Sequence, residues 1–374
     1  MNNNIRVGSL FGIPFYVNPS WFLVLGLVTW TYGNGLAAQF PALAGGLAAG
    51  LGLVTALLLF ASVLLHELGH SFVALQQGIG VKSITLFLFG GLAHLEQESK
   101  TPAAAFGVAI AGPVVSLGLY GLLSAIGGNI GLTGPFAAIL GVVAAANLAL
   151  AVFNLIPGLP LDGGNILKAG VWRITGNPYK GTVFASRVGQ VLGGIAILSG
   201  LLPLVIWGSF ANFWNLLIGW FLWQNAGLAA QYATVQNKLT GLTAADALVV
   251  NSPMVSEQMT LRELVDRQVM DNTDWRKFLV TNEQGQLIGA IVLEDLKTIP
   301  TQQWDGTLVR ELAKSVEPAT VVSSDRPLLE VMGLLEEKRL SALAVVQESG
   351  VLLGLLEKAA IVRLLQGQPQ TKSA

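Results

Sequence analysis

The hydrophobic pattern divides the chain in two. Up to about residue 231 apolar residues run in long, nearly uninterrupted stretches, and from about 238 they alternate with charges as in an ordinary soluble domain. A helix needs about 20 apolar residues to cross a bilayer. Six stretches qualify, near 19–40, 47–76, 103–126, 135–156, 183–205 and 213–232. Trp21, Trp30, Trp207, Trp214, Trp220 and Trp223 fall near their ends, where interfacial anchors belong. The pattern predicts a multi-pass α-helical membrane domain at 1–235 with about six transmembrane helices, an α/β domain at 241–366, and a disordered tail at 367–374.

The segment 80–98, GVKSITLFLFGGLAHLEQE, is too short for two spans and too apolar for a free loop. Its β-formers and the Gly90-Gly91 pair predict a hairpin dipping into the membrane, tolerable there only if its backbone is paired or lines a cavity. Its stretch from Ser83 to Gly91 offers a candidate open strand edge, able to hold an extended peptide by β-augmentation.

Composition supports the division. The chain has 374 residues, 52% hydrophobic and only 11% charged, against about 25% charged in soluble domains. A net charge of −1 gives no footprint for a nucleic-acid partner. The absence of cysteine rules out disulfides and thiolate ligands, leaving His, Asp and Glu to hold a metal. The short polar opening Met1-Asn-Asn-Asn-Ile-Arg is not read as a signal peptide. The connections near 33–45, 127–134 and 202–212 carry no Lys or Arg, while Arg6, Lys82, Lys100, Lys168, Arg173, Lys180 and Arg187 all fall on the other side. By the positive-inside rule that side is cytoplasmic, and so are the N-terminus and the C-terminal domain.

Within the second stretch His66-Glu67-Leu68-Gly69-His70 matches H-E-x-x-H. On a helix the two histidines stand one turn apart, roughly 6 Å along the axis, so both can reach one zinc ion. Glu67 beside them suits a general base acting on water that the metal acidifies. Only three histidines occur in the chain and two lie here, in a span with no other ionisable group but Glu67. Such groups are expensive at membrane depth unless paired or functional; the alternative is a polar cluster joining helices. A catalytic zinc needs a third protein ligand. Asp162, His94 and Glu96 compete. Asp162 is preferred, because it is the only carboxylate between Glu98 and the C-terminal domain and because Pro157, Pro160, Gly163 and Gly164 break the helix around it. His94 suits an interfacial polar tip, and Glu96 and Glu98 are read as solvated. Gly112-Pro113, Gly118, Gly189, Gly193 and Gly194 are assigned close helix approach or kinks and no chemistry.

HELGH at 66–70 and NLIPGLPLDGG at 154–164 resemble the site-2 protease family of intramembrane zinc metalloproteases, in the subgroup with cytoplasmic CBS domains. The resemblance covers about 8–231. It implies one zinc held by His66, His70 and Asp162, with Glu67 as base. It implies substrate handling by Asn154, whose other expected role is to satisfy backbone freed by Pro157, and by the Gly90-Gly91 hairpin. The partners it implies are the lipid bilayer and a transmembrane protein substrate.

The C-terminal part carries an internal duplication. Gly285 and Gly350, Gly289 and Gly354, Pro253 and Pro318, and Leu264 and Leu329 are each 65 apart, and 278–289 and 343–354 both read strand, turn, strand. The two copies, 241–300 and 301–366, resemble a tandem CBS pair. Many such pairs bind an adenine nucleotide through Gly-x-x-Ser/Thr-x-x-Asp. The first copy keeps Asp295 but has Val292 at the hydroxyl position, and the second, from Gly354 to Ala360, lacks both. Homodimerisation or regulation by contact is therefore preferred over nucleotide binding at Asp295. Two rival functions remain open. A metal transporter or sensor would want polar residues in several further spans, which are nearly free of them. An inactive membrane-helix-binding relative would have no use for an intact Glu67.

Overall fold

The computed structural model describes residues 4–43, 45–88, 90–129, 131, 133–249, 252–270, 275–317 and 320–366. The expected disordered tail, Phe89 of the hairpin and Pro318 of the repeat lie outside these residues. The chain separates into two compact units, Met1–Thr234 and Val235–Ala374.

The first unit opens with β1 (Ile5–Leu10) and β2 (Ile13–Val17), followed by the helices α1 (Ser20–Gln39) and α2 (Gly45–Gln76). Then come β3 (Val81–Phe87), β4 (Gly90–Leu95), α3 (Pro102–Asn129), α4 (Gly134–Asn154), α5 (Asp162–Thr175), α6 (Pro178–Trp207) and α7 (Phe213–Leu239). Among the described residues four helices are long and apolar enough to cross a membrane: α2, α3, α4 and α6. α1 and α7 are helices over the other two predicted stretches, with α7 running on to Leu239 through the polar segment after Tyr232. The exposed side chains along these helices include Leu57, Leu58, Val114, Leu122, Val191 and Ile195, as expected for faces turned to lipid rather than water. α6 and α7 approach closely through glycine: a Cβ on Gly193 would stand 2.8 Å from the Trp223 backbone nitrogen. Gly118 in α3, by contrast, would place a Cβ within 4 Å of no atom among the described residues, so of the two expected roles close approach is not seen there.

The predicted hairpin is present as β3 and β4, paired antiparallel from Val81 opposite Leu95 to Phe87 opposite Gly90. It belongs to a larger four-stranded sheet, ordered β1-β2-β3-β4, because the N-terminal hairpin adds β2 to β3 in parallel. This corrects the expected open edge. β3 is paired on both sides at Ile84–Leu86, and among the described residues the edge strand on this side of the sheet is β4, which begins at Gly90. The sheet is fixed to α2 by an apolar cluster of Ile13, Phe15 and Ile84 packed on Leu64 and Leu68. Leu64 precedes the H-E-x-x-H segment by two residues and Leu68 lies within it, so the sheet is anchored directly on that stretch of α2.

In the second unit β5 (Met254–Ser256), α8 (Leu261–Met270), β6 (Lys277–Thr281), β7 (Leu287–Val292) and α9 (Leu293–Leu296) form the first copy of the repeat. After α10 (Val309–Leu312), the second copy follows as β8 (Val321–Ser323), α11 (Leu328–Glu337), β9 (Ala342–Val346), β10 (Leu352–Glu357) and α12 (Lys358–Leu365). Each copy holds a three-stranded sheet with one parallel and one antiparallel pair, in the same order. Leu279 and Ala290 of one sheet pack on Ala344 and Leu352 of the other, and the two hairpin turns join through Leu352 N–H donating to Gly285 O at 2.9 Å.

Candidate metal centre

His66 and His70 lie on α2, buried at 3% and 8% exposure. The chain reaches them a second time at Asp162. α4 ends at Asn154, a turn-rich segment with a cis Leu159–Pro160 peptide follows, and Asp162 begins α5. The sequence suggested a broken segment at this point, and helix α5 is an element it did not predict. The glycines after Asp162 allow the turn: a Cβ on Gly163 would overlap the Leu155 and Ile156 carbonyl oxygens. The loop is seated on α6, where Leu159 N–H donates to Ala185 O at 3.2 Å.

The result is a triangle of ligand-type atoms. His66 Nε2 is 3.1 Å from Asp162 Oδ2, His70 Nε2 is 3.3 Å from the same oxygen, and the two Nε2 atoms are 3.3 Å apart. An ion bound tetrahedrally at about 2.05 Å would separate its ligand atoms by about 3.3 Å. The protonation pattern fits as well. His70 Nδ1 donates to the Val108 carbonyl at 2.7 Å, which leaves Nε2 of the neutral ring as a bare lone pair. His66 Nδ1 is tied to Ser116 Oγ at 2.9 Å, and with Nδ1–H donating to that hydroxyl its Nε2 presents a lone pair as well. Lone pairs of two rings and a carboxylate thus face one point, an arrangement that attracts a cation. α3 leaves room for it. A Cβ on Gly112 would overlap His70 Nε2 and stand 2.6 Å from His66 Nε2. Gly112 thus makes the close helix approach expected of it, and its missing side chain keeps the centre open.

Glu67 sits beside the triangle and contacts β4. Gly91 lies directly against its carboxylate. A cavity of about 380 Å³ opens here, lined by Glu67, Asn154 and Asp162 together with Gly91, Leu92 and Ala93 of β4. The structure therefore brings together Glu67, His66, His70, Asp162, Asn154 and Gly91. Asn154 Nδ2 donates to Leu150 O at 3.1 Å, inside its own helix. Gly90 caps the strand at φ 140° and is one residue from the cavity lining. His94 is exposed on β4, and neither it nor Glu96 belongs to the ligand triangle. Glu98 is exposed, as expected, and also pairs with Lys168 of α5 at 2.9 Å on the cavity wall. Ser116, Val108 and Gly112 carry no mark of this role in the sequence, since all three reach the centre from α3. In the second unit Asp295 Oδ1 is held by Lys314 Nζ at 2.8 Å, and its buried Oδ2 has no hydrogen-bond partner among the described residues.

Comparison with known proteins agrees with this geometry. The model of peptidase family M50 matches residues 54–131 and 119–196, and that of the CBS domain matches 309–367. Two curated relatives carry zinc metalloprotease in their names. One, sll0528 of Synechocystis sp., is 56% identical over 366 residues, covering 98% of this chain and 96% of its own. The other, from Mycobacterium tuberculosis, is 30% identical over 372 residues, covering 98% and 93%. The solved site-2 protease of Methanocaldococcus jannaschii is 30% identical, with a TM-score of 0.43 over 61% of this chain and 95% of that one. With that identity to the Synechocystis relative over nearly its full length, this chain belongs to peptidase family M50, the site-2 proteases, in the group that carries CBS domains.

Proposed function

We propose that the protein is an intramembrane zinc endopeptidase that hydrolyses peptide bonds within or near transmembrane segments of other membrane proteins. The observation that carries this reading is the convergence of His66 Nε2, His70 Nε2 and Asp162 Oδ2 within 3.3 Å, beside the Glu67 carboxylate and a strand edge. Zinc, when bound by these three side chains, supplies Lewis acidity that makes water nucleophilic near neutral pH. Glu67 then accepts the proton of the attacking water at its carboxylate and returns it to the leaving amide nitrogen. Val108 O and Ser116 Oγ hold the two imidazole rings in orientation throughout.

Substrate must arrive unwound, because a helix hides its scissile carbonyl in intrahelical hydrogen bonds. The edge of β4 runs past Glu67 and suits an extended peptide, with Gly91 giving it close access to the carboxylate and Asn154 also lining the cavity. Six crossings, with α1 and α7 spanning beside the four most apolar helices, put both termini in the cytoplasm by the distribution of Lys and Arg. The C-terminal unit then acts in the cytoplasm as a regulatory or homodimerising module. Adenine nucleotide is the less favoured ligand, since Val292 replaces the motif hydroxyl and Lys314 already engages Asp295.

The test is to compare membrane-protein fragments in cells expressing the wild type or Glu67→Gln. The reading expects full-length substrates to accumulate with the variant and their cytoplasmic fragments to disappear. Identical fragment patterns would refute it.

A further inference from the structure

The ion pair between Lys168 and Glu98 lies within the cavity that holds the metal centre, yet the reaction proposed above has no use for it. The two partners are unequal. Lys168 is largely enclosed, its side chain 17% exposed, whereas the Glu98 side chain is 71% exposed in the segment between β4 and α3. An enclosed ammonium needs a counter-charge, while an exposed carboxylate gives up little on returning to water. Glu98 is thus the readily displaced member of the pair, and Lys168 the fixed one.

The position of Lys168 is informative. It follows Asp162 by six residues on α5, which places it about 9 Å further along the helix axis. An extended peptide rises about 3.3 Å per residue, so about three residues cover that distance. The edge of β4 points the same way: Gly91 adjoins Glu67, while Leu95 and then Glu98 line the cavity farther along the chain.

We infer that Lys168 forms a subsite for an acidic side chain of the substrate, about three residues from the scissile bond, and that Glu98 occupies this subsite until a substrate carboxylate displaces it. The inference rests on the peptidase reading for the substrate but not for the recognition itself. A peptide carrying Asp or Glu at that position replaces one carboxylate by another. A peptide carrying Lys there must face the ammonium directly, and discrimination comes as much from that repulsion as from the attraction.

The test uses the full-length protein in detergent micelles and a set of fluorescent transmembrane peptides in which Asp, Ala or Lys is scanned through each position. Cut sites produced by the zinc-loaded wild type are read by mass spectrometry, and binding of the same peptides to the Glu67→Gln protein is read by fluorescence anisotropy. The expected result is a tenfold or greater preference for Asp over Lys about three residues from the cut. Lys168→Glu should reverse that order, and Lys168→Met, a milder change to the packing, should flatten it. Glu98→Gln should tighten binding of the Asp peptides by removing their competitor. The same ranking in wild type, Lys168→Glu and Lys168→Met would overturn the subsite and leave the pair as a structural tie between loop and helix. A Lys168-dependent preference in binding with no cleavage of any peptide would keep the subsite and refute the peptidase reading. Absence of both binding and cleavage would overturn both.

Discussion

Gly91 of β4 lies directly against Glu67 of α2: a Cβ added to Gly91 would stand 2.9 Å from the Glu67 carboxyl carbon and 3.0 Å from Oε1. The strand proposed to hold substrate and the residue proposed to move the proton are therefore in contact, and the contact depends on a missing side chain. Gly91→Val should push Glu67 off its position while leaving the ligand triangle intact. Turnover is expected to fall by about 10²–10⁴-fold, the usual worth of a positioned general base, with zinc content unchanged. Parallel measurement of metal content and cleavage checks this.

Gly112 plays the complementary part on α3. Because a Cβ there would meet both Nε2 atoms, Gly112→Ala should weaken zinc binding by at least about 100-fold, at the upper end of what disturbing a metal's supporting residues costs. Chelator competition on the purified variant gives the number. Zinc affinity equal to wild type would mean that the centre lies elsewhere.

Backbone pairing on the free edge of β4 makes a prediction about substrate rather than enzyme. N-methylation of a cleaved peptide at alternate residues removes donors on one side of the strand at a time. One alternating set should abolish cleavage and the other should be tolerated, because successive residues of a strand point their N–H groups in opposite directions. Equal tolerance of both sets would remove β4 from substrate recognition.

The α6–α7 contact predicts a stability effect without a catalytic one. A Cβ on Gly193 would come within 2.8 Å of the Trp223 backbone nitrogen and 2.9 Å of Gly219 O. Gly193→Val should destabilise the membrane unit by about 1–3 kcal/mol, the range for overpacking, and lower the temperature at which it unfolds in micelles. Metal content of the folded fraction should not change.

Much of the site could be read from the chain because its determinants are local or rare. The i, i+4 spacing of His66 and His70 places both rings on one helical face wherever that helix goes, and Asp162 stood out because carboxylates are so scarce in the apolar half. The duplication of the second unit was equally plain, since a fixed spacing of 65 residues survives whatever surrounds it. What escaped notice depends on tertiary contact. β2 joins β3 in parallel across more than sixty residues of chain, and no local pattern announces that partnership, so Ser83–Gly91 reads as one open edge although Ile84–Leu86 are paired on both sides and only its Gly90-Gly91 end lies on the edge strand. Helix α5 begins immediately after a proline- and glycine-rich break that reads as loop. Gly112 looked like any other glycine in an apolar helix, because its role is set by two rings on a neighbouring helix rather than by its own sequence context. The Lys168–Glu98 pair links residues 70 apart, both of which look like ordinary surface charges.

The most direct check of the central claim is the zinc stoichiometry of the purified full-length protein and its variants. The geometry predicts about one zinc per chain in wild type and in Glu67→Gln, and loss of that zinc in His66→Ala, His70→Ala and Asp162→Ala alike. Zinc retained at full stoichiometry when the histidines or Asp162 are removed, or no zinc bound by a folded wild type, would contradict the assignment.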